Sequence, residues 1–247
     1  MARRDEIVRF ANELLDVAAF PEYAPPGLQV VGGEEVAKLV CAVSSSRELF
    51  ERAGSLNAQL VLVHHGLFWR NEPLVVDRRL RGRFEALFRA DLSLVAYHLA
   101  LDAHPELGNN ALLGQKLRAR REQPFVEIGA GARFDEPVSI AELARRLREA
   151  TSREPLIFAH GPERIERVAI VTGGGGDRLI QAAHEGYDAF VTGEPEEPAL
   201  QTARELGIHF LAGGHYASET LGVQALAARL SEEFAIEHEF VDLPNPV

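Results

Sequence analysis

The stretch Leu60-Val61-Leu62-Val63-His64-His65-Gly66 contains four apolar residues followed by two histidines and a glycine. A short apolar run that stops at glycine is typical of a buried strand in an α/β protein. The histidines would then lie at the carboxyl end of that strand, where ligands bind in open α/β sheets. Because adjacent side chains of a strand face opposite ways, both imidazoles could serve one cleft only if the strand breaks there, which Gly66 would allow.

Similar apolar runs alternate with helix-patterned segments along most of the chain, which indicates α/β architecture. The predicted strands cover residues 39–43, 60–63, 92–97, 167–171, 189–192 and 209–212. Helical spacing of Leu, Ala and Phe predicts helices over residues 47–53, 78–90, 111–118, 140–150, 178–185 and 199–206.

The chain repeats one pattern of strands and helices, and in each copy the third strand is followed by a histidine, His98 in the first and His215 in the second. We therefore predict two related α/β halves with mixed sheets around a shared cleft. Residues 1–125 would form an N-terminal half and residues 126–247 a C-terminal half, with some interleaving and a hinge near residues 123–137.

Composition narrows the class of protein. The 247 residues are 46% hydrophobic, enough for a sizeable core, and carry a formal net charge of -11. A negatively charged chain is not expected to bind nucleic acid, and we expect no membrane partner. The single cysteine, Cys41, lies in an apolar run and excludes an intrachain disulfide framework. The charged N-terminus lacks an apolar stretch of signal length, so we expect a cytoplasmic protein.

Five potential metal ligands fall at or just after predicted strand ends: His64, His65, Asp102, His215 and Glu219. Residues four apart on a helix share one face, so His215 and Glu219 could bind the same ion. Imidazoles and carboxylates without a thiol suit Zn, Mn, Fe, Co or Ni, and bridging carboxylates could hold two ions roughly 3.5–4 Å apart. The alternatives are histidines that only cap a strand and a His-Glu pair on a helix surface.

Several strings together resemble the dinuclear metal-centre, hexameric protein family, whose members are called GTP cyclohydrolase I type 2 homologues or NGG-interacting-factor-three-like proteins. The resemblance covers nearly the whole chain in the same order. The strings that carry it are Pro26-Gly-Leu-Gln-Val30, Leu62-Val-His-His-Gly-Leu-Phe-Trp69, Tyr97-His-Leu-Ala-Leu-Asp102, Gly108-Asn-Asn110, Gly173-Gly-Gly-Gly176, Thr192-Gly-Glu194 and Gly214-His-Tyr-Ala-Ser-Glu219.

The resemblance implies two divalent metal ions per subunit, bound by the same five residues, with Glu219 as a bridge. It also implies a homohexameric ring, or toroid, with the metal sites facing an internal cavity. His98 matches a recurring histidine of the family, which we place beside the metals as a catalytic proton carrier or a hydrogen-bonding partner of a ligand. Some relatives have a histidine after the Thr-Gly-Glu string where this chain reads Pro195-Glu-Glu-Pro198, and many carry an inserted domain that this chain lacks.

The function we infer is a metal-dependent hydrolase in which two metals activate water. The substrate could be a nucleotide whose purine ring is opened, or a phosphoester or amide, because the ligand set suits each reaction. The alternative is a ring-shaped oligomer that stores or senses metal or docks a protein partner without turnover. Gly173 to Gly176 could receive a phosphate or serve tight packing, and Phe68 and Trp69 could stack on a purine or be buried.

Overall fold

The computed structural model describes residues 1–73 and 75–247, which divide into two compact units. The first unit comprises Met1–Leu101 and Gly222–Leu243, and the second comprises Asp102–Leu221 and Pro244–Val247. The sequence analysis assigned residues 102–125 to the N-terminal half, but in the structure they belong to the second unit. Residues 222–243 return to the first unit because the last strand of the chain extends the first unit's sheet.

Thirteen strands occur in the described residues. They are β1 (Ala2–Arg3), β2 (Gly27–Val30), β3 (Glu35–Val36), β4 (Lys38–Ser44), β5 (Leu60–His65), β6 (Ser93–Ala96), β7 (Arg120–Phe125), β8 (Gly129–Val138), β9 (Leu156–Phe158), β10 (Ile165–Val171), β11 (Ala189–Thr192), β12 (His209–Ala212) and β13 (Glu237–Phe240).

Ten α-helices connect the strands over the same described part of the chain. They are α1 (Arg4–Leu14), α2 (Arg47–Ser55), α3 (Arg78–Arg89), α4 (Leu99–Ala103), α5 (Asn109–Lys116), α6 (Ile140–Thr151), α7 (Leu179–His184), α8 (Ala199–Leu206), α9 (His215–Ser218) and α10 (Thr220–Phe234). Short 3-10 helices cover Val17–Ala19 and Gly176–Arg178.

The first unit is built on a five-stranded sheet with the order β13-β4-β5-β6-β2. Strands β13, β4, β5 and β6 are parallel, whereas β2 pairs with β6 in the antiparallel direction. Helices α2 and α3 cover one face, where Leu49, Phe50 and Leu87 are fully buried against sheet residues such as Val61 and Val63. Because β5 lies in the middle of the sheet, its carboxyl end has a neighbouring strand on each side.

The second unit is built on a six-stranded sheet with the order β7-β8-β10-β11-β12-β9. Its central strands β10, β11 and β12 are parallel, and β8 and β9 flank them in the antiparallel direction. Separate apolar cores pack on the two faces, one around Leu143 and Leu211 and the other around Phe190 and Phe210. The region predicted as a hinge, residues 123–137, forms most of the β7-β8 hairpin at the edge of this sheet, so that prediction was wrong.

The predicted fold class is confirmed: the chain is an α/β protein with mixed sheets, and each unit contains one copy of the repeated pattern. All six predicted strands and all six predicted helices are present, with ends that shift by no more than two residues. In both copies three parallel strands lie in chain order, followed at the outer edge by one antiparallel strand.

No helix within residues 1–73 and 75–247 combines the length and the apolar character that crossing a membrane requires.

Candidate metal centre

Three histidines form a cluster at the carboxyl edge of the first unit's sheet. One ring nitrogen of each of His64, His65 and His98 lies within 4.8 Å of the corresponding nitrogens of the other two. The ring centres of His64 and His65 are 4.7 Å apart, and His98 lies 4.9 Å from the first and 5.4 Å from the second. His64 is fully buried and His65 is nearly so. The cluster therefore offers three ring nitrogens as potential metal ligands, and the two on β5 are shielded from solvent.

Strand β5 continues through both adjacent histidines, so their rings join one cluster without the break that we took as its condition. The two rings are instead anchored to the neighbouring strands on either side: His64 bonds to the residue after β6, and His65 bonds to the last residue of β4. Gly66 has another role, because a Cβ atom there would lie 2.3 Å from Oε1 of Gln29. That oxygen accepts a hydrogen bond from the Leu67 N–H at 2.8 Å and fixes the turn after the histidines.

Hydrogen bonds orient these imidazoles through Nδ1. The Nδ1–H of His64 donates to the carbonyl oxygen of Tyr97 at 2.9 Å, and that of His98 donates to Oε2 of Glu22 at 2.8 Å. Carbonyl and carboxylate oxygens only accept, so each bond requires the proton on Nδ1 and leaves the lone pair of the neutral ring on Nε2. Nδ1 of His65 lies 3.1 Å from Oγ of Ser44. A histidine that ligates a metal is usually oriented in this way.

Glu22 is a site residue that sequence reasoning missed. Its side chain is 6% exposed and its partner, His98, is 38% exposed, so the carboxylate supports the imidazole from the protein side. Glu22 lies in the connection between the first 3-10 helix and β2, 76 positions before His98. No motif or spacing in the sequence pairs these two residues, and only the fold brings them together.

The second unit brings together a histidine and two carboxylates around the short helix α9. Nε2 of His215 lies 3.2 Å from Oε2 of Glu219, which confirms the pairing predicted from their four-residue spacing. On the other side of the ring, Nδ1 lies 3.1 Å from Oε1 of Glu194, two residues after the end of β11. Glu219 is buried, whereas Glu194 is 39% exposed. In the sequence, Glu194 is the last residue of the Thr192-Gly-Glu194 string, to which no partner was assigned.

His215 is poised between two negative charges. Burial by itself lowers the pKa of His215, but the hydrogen bonds and charges of Glu219 and Glu194 outweigh it and raise the pKa to about 9. The Nδ1–H can donate to Glu194, and Nε2 must then carry a proton to face the Glu219 carboxylate favourably. A proton on Nε2 of His215 is therefore favoured beside Oε2 of Glu219 in the metal-free protein.

The glycine-rich turn after β10 makes room for this pair. Gly173 has a positive φ of 64°, and a Cβ atom there would lie 2.0 Å from Oε1 of Glu219. Its N–H donates to Oγ of Ser218 at 3.0 Å, and its carbonyl oxygen accepts from the N–H of Gly193 and of Glu194. These contacts favour tight packing as the role of the turn over phosphate binding, because an anion would meet the nearby carboxylates.

Asp102 lies in the same unit and is buried at 4% exposure. Oδ1 of Asp102 accepts a hydrogen bond from Nδ2 of Asn109 at 2.8 Å. Asn110 donates to the carbonyl oxygen of Ile128 and accepts from the N–H of Thr172, so it ties the start of α5 to the end of β10. Helix α5 has Gly108 at its N-cap and no side-chain capping bond. A carboxylate oxygen of Asp102 lies within 4.8 Å of one of Glu219.

These groups are chemically suited to a divalent metal ion. The histidine cluster of the first unit offers imidazole nitrogens, and the second unit by itself offers carboxylate oxygens and one imidazole. Imidazole and carboxylate are borderline to hard ligands. The absence of a Cβ atom at Gly173 lets the Glu219 carboxylate lie against the turn. The chain thus contains histidine and carboxylate groups that could bind a metal ion.

Fold and site together define the class of protein: an α/β protein with two copies of a three-stranded parallel unit and, near strand ends, histidine and carboxylate groups that could bind a metal ion. The chain belongs to the Duf34/NIF3 (NGG1p interacting factor 3) family, which its sequence matches over residues 2–246. The resemblance inferred from the motifs is confirmed.

Relatives of similar length support this membership. The chain is 44% identical to a protein of Pseudomonas aeruginosa and 43% identical to one of Escherichia coli K12, each named GTP cyclohydrolase 1 type 2 homolog, over 97% and 99% of both chains. Among solved structures it matches protein ybgI, described as of unknown function, with a TM-score of 0.96, 41% identity and full coverage of both chains. A protein of Thermus thermophilus matches with a TM-score of 0.93, 35% identity and full coverage of both chains.

Proposed function

We propose that this chain binds two divalent metal ions and works as a metal-dependent hydrolase. The proposed ligands are His64, His65, Asp102, His215 and Glu219, with Glu219 shared between the ions. The observation that carries the proposal is the 3.2 Å approach of Nε2 of His215 to a buried Glu219 oxygen, while Glu194 engages Nδ1. A histidine and a carboxylate held in this way are predisposed to bind a cation.

The metal ions would supply Lewis acidity and lower the pKa of a water molecule. The residues of the chain supply orientation and proton transfer. Tyr97 and Glu194 accept hydrogen bonds from the Nδ1–H groups of His64 and His215. Nε2 of each ring is therefore the atom that would bind the metal. Glu22 does the same for His98, whose more exposed ring can accept a proton at Nε2 and return it to a leaving group.

The relatives' name suggests the substrate class to test first. For a GTP cyclohydrolase homologue the reaction would be hydrolytic opening of a purine ring, and hydrolysis of a phosphoester or amide uses the same activated water. The metal could be Zn, Mn, Fe, Co or Ni, because imidazole and carboxylate ligands accept each of them. We further propose a homohexameric ring in the cytoplasm, on the strength of the sequence resemblance.

The deciding measurement is metal content per chain, determined by elemental analysis of protein purified without chelators. We expect about two equivalents, as in other two-metal hydrolytic sites, and a loss in His64→Ala and in Glu219→Ala. His184→Ala and Glu205→Ala are matched controls because both side chains are exposed and lie outside the two groups. Protein that stays empty after incubation with each of the five metals would contradict the proposal.

Two further measurements test the oligomeric state and the hydrolase activity separately. Sedimentation analysis of the purified protein tests the ring, since a hexamer of a 27.2 kDa chain has about six times that mass. Release of product from GTP and from simple phosphoesters, measured on fully metallated protein, tests the hydrolase. Full metal occupancy without any turnover would favour the metal-storing or metal-sensing ring over the enzyme.

A further inference from the structure

An apolar pocket of about 170 Å³ lies beside the histidine cluster within the first unit. It is formed between the turn after β5 and helix α3. The side chains that matter for its chemistry are Leu67, Phe68, Trp69, Val76, Leu80 and Phe84. None of these six is polar or charged apart from the indole N–H, so water in the pocket gains few hydrogen bonds and an apolar group can displace it.

Trp69 connects this pocket to the candidate metal centre. Its ring lines the pocket, and its ring centre lies 5.1 Å from that of His65. The side chain is 43% exposed, so part of the indole is open to a ligand. A second ring packed on an aromatic side chain lies roughly 4.5–7 Å away, centre to centre. A ring in the pocket would therefore lie close enough for a group on a short linker to reach the histidines.

The size and charge of the pocket limit what it can hold. A cavity of about 150 Å³ lined by apolar side chains accommodates one benzene molecule. The pocket is of similar size and so fits a single ring. Its charged member, Glu72, is bound through both carboxylate oxygens by the guanidinium group of Arg79. Because that charge is already paired, the pocket favours an uncharged ring over a cationic one.

We propose that this pocket binds an uncharged aromatic ring of the substrate and directs the hydrolysable group, through a short linker, to the histidine cluster. The inference rests on the proposed hydrolase function and adds the substrate's chemical class. A second copy of the chain is a poorer occupant, because a stable protein interface buries about 800 Å² on each partner, far more surface than one ring-sized pocket provides.

The test uses the intrinsic fluorescence of the full-length, metal-free protein. Trp69 is the single tryptophan of the chain, so its emission reports on this pocket alone. The probes are phenyl phosphate and methyl phosphate, which carry the same anionic group and differ in the ring. We expect phenyl phosphate to shift the emission in a saturable manner and methyl phosphate to leave it unchanged. An equal response to both probes would overturn the proposal.

Two substitutions locate the bound ring. Val76→Phe adds an aromatic ring at a pocket residue that is 63% exposed, so the fold should tolerate it while the pocket is filled. Ile180→Phe adds the same ring at a 52% exposed position of the second unit and serves as the control. We expect phenyl phosphate to bind about fivefold more weakly to the first variant only, since an aromatic pair contributes about 1 kcal/mol.

The same samples separate the two proposals. Metal content is measured independently, so a protein that takes up metal but shows no ring preference refutes the pocket assignment alone. Ring-selective binding by a protein that takes up no metal refutes the hydrolase and leaves the pocket as a binding site. If Val76→Phe changes the native mass and ring binding is absent in the unsubstituted protein, the pocket is an interface and the assignment is wrong.

Discussion

Gly173→Ala should displace Glu219 and weaken metal binding. The new Cβ atom would lie 2.0 Å from Oε1 of Glu219, whereas ordinary van der Waals contact begins at 3.4 Å, so the two atoms must separate by about 1.4 Å. Metal-ligand distances tolerate deviations of only about 0.2 Å. We therefore expect metal affinity to fall at least about tenfold, comparable to the loss of a residue that orients a ligand.

The effect of this substitution on the backbone, expressed as a change in the free energy of unfolding, can be measured separately. Gly207 has a φ of 66°, nearly the 64° of Gly173, but the nearest atom that a new Cβ would meet lies 3.9 Å away. Each alanine in the left-handed region should lower the free energy of unfolding by about 1–2 kcal/mol. Gly207→Ala should therefore lose stability but keep its metal affinity, and the difference between the variants isolates the displacement of Glu219.

Metal affinity is measured by competition with a chromophoric chelator, and stability by urea unfolding of the metal-free proteins. If Gly173→Ala and Gly207→Ala bind metal equally tightly, the contact between Gly173 and Glu219 does not control the metal site and the reasoning fails.

Three further predictions concern His98, Glu194 and Cys41. His98→Ala should keep its metal content but reduce any turnover, because a proton carrier is not needed for binding; loss of one metal equivalent would instead identify His98 as a ligand, which its position beside His64 and His65 allows. Glu194→Gln should weaken metal binding about tenfold by removing the charge at Nδ1 of His215, and the exposed Glu197→Gln is the control whose equal loss would contradict this. Burial raises the pKa of Cys41 to about 12, so the thiol should resist a disulfide reagent at pH 8 in the native protein and react once unfolded. Because the folded state favours the neutral thiol, Cys41 contributes to the free energy of unfolding below the unfolded pKa of about 8.5, and this contribution is lost as the pH rises toward 12. Rapid reaction in the native state would show that Cys41 is not protected.

The positions of His64 and His65 show which features of the site the sequence pattern could predict and which it could not. Apolar periodicity located β5, and the position of His64 and His65 at its end indicated a site. The same reasoning made a break in the strand the condition for both rings to serve one cleft, because it considered one strand alone. In the sheet the two rings bond to the strands on either side, so both can join one cluster while β5 continues to His65.

Local spacing determined much of this protein. The spacing of apolar residues defines the strands and helices, and the four-residue interval between His215 and Glu219 determines that they share a helix face. Both features depend on backbone geometry over a few residues. Tertiary structure alone decided that Glu22 supports His98, that Gly173 makes room for Glu219 and that Trp69 joins a pocket to the histidines. Two of these contacts join residues far apart in the chain, and all three depend on how strands, turns and helices pack, which no local sequence pattern encodes.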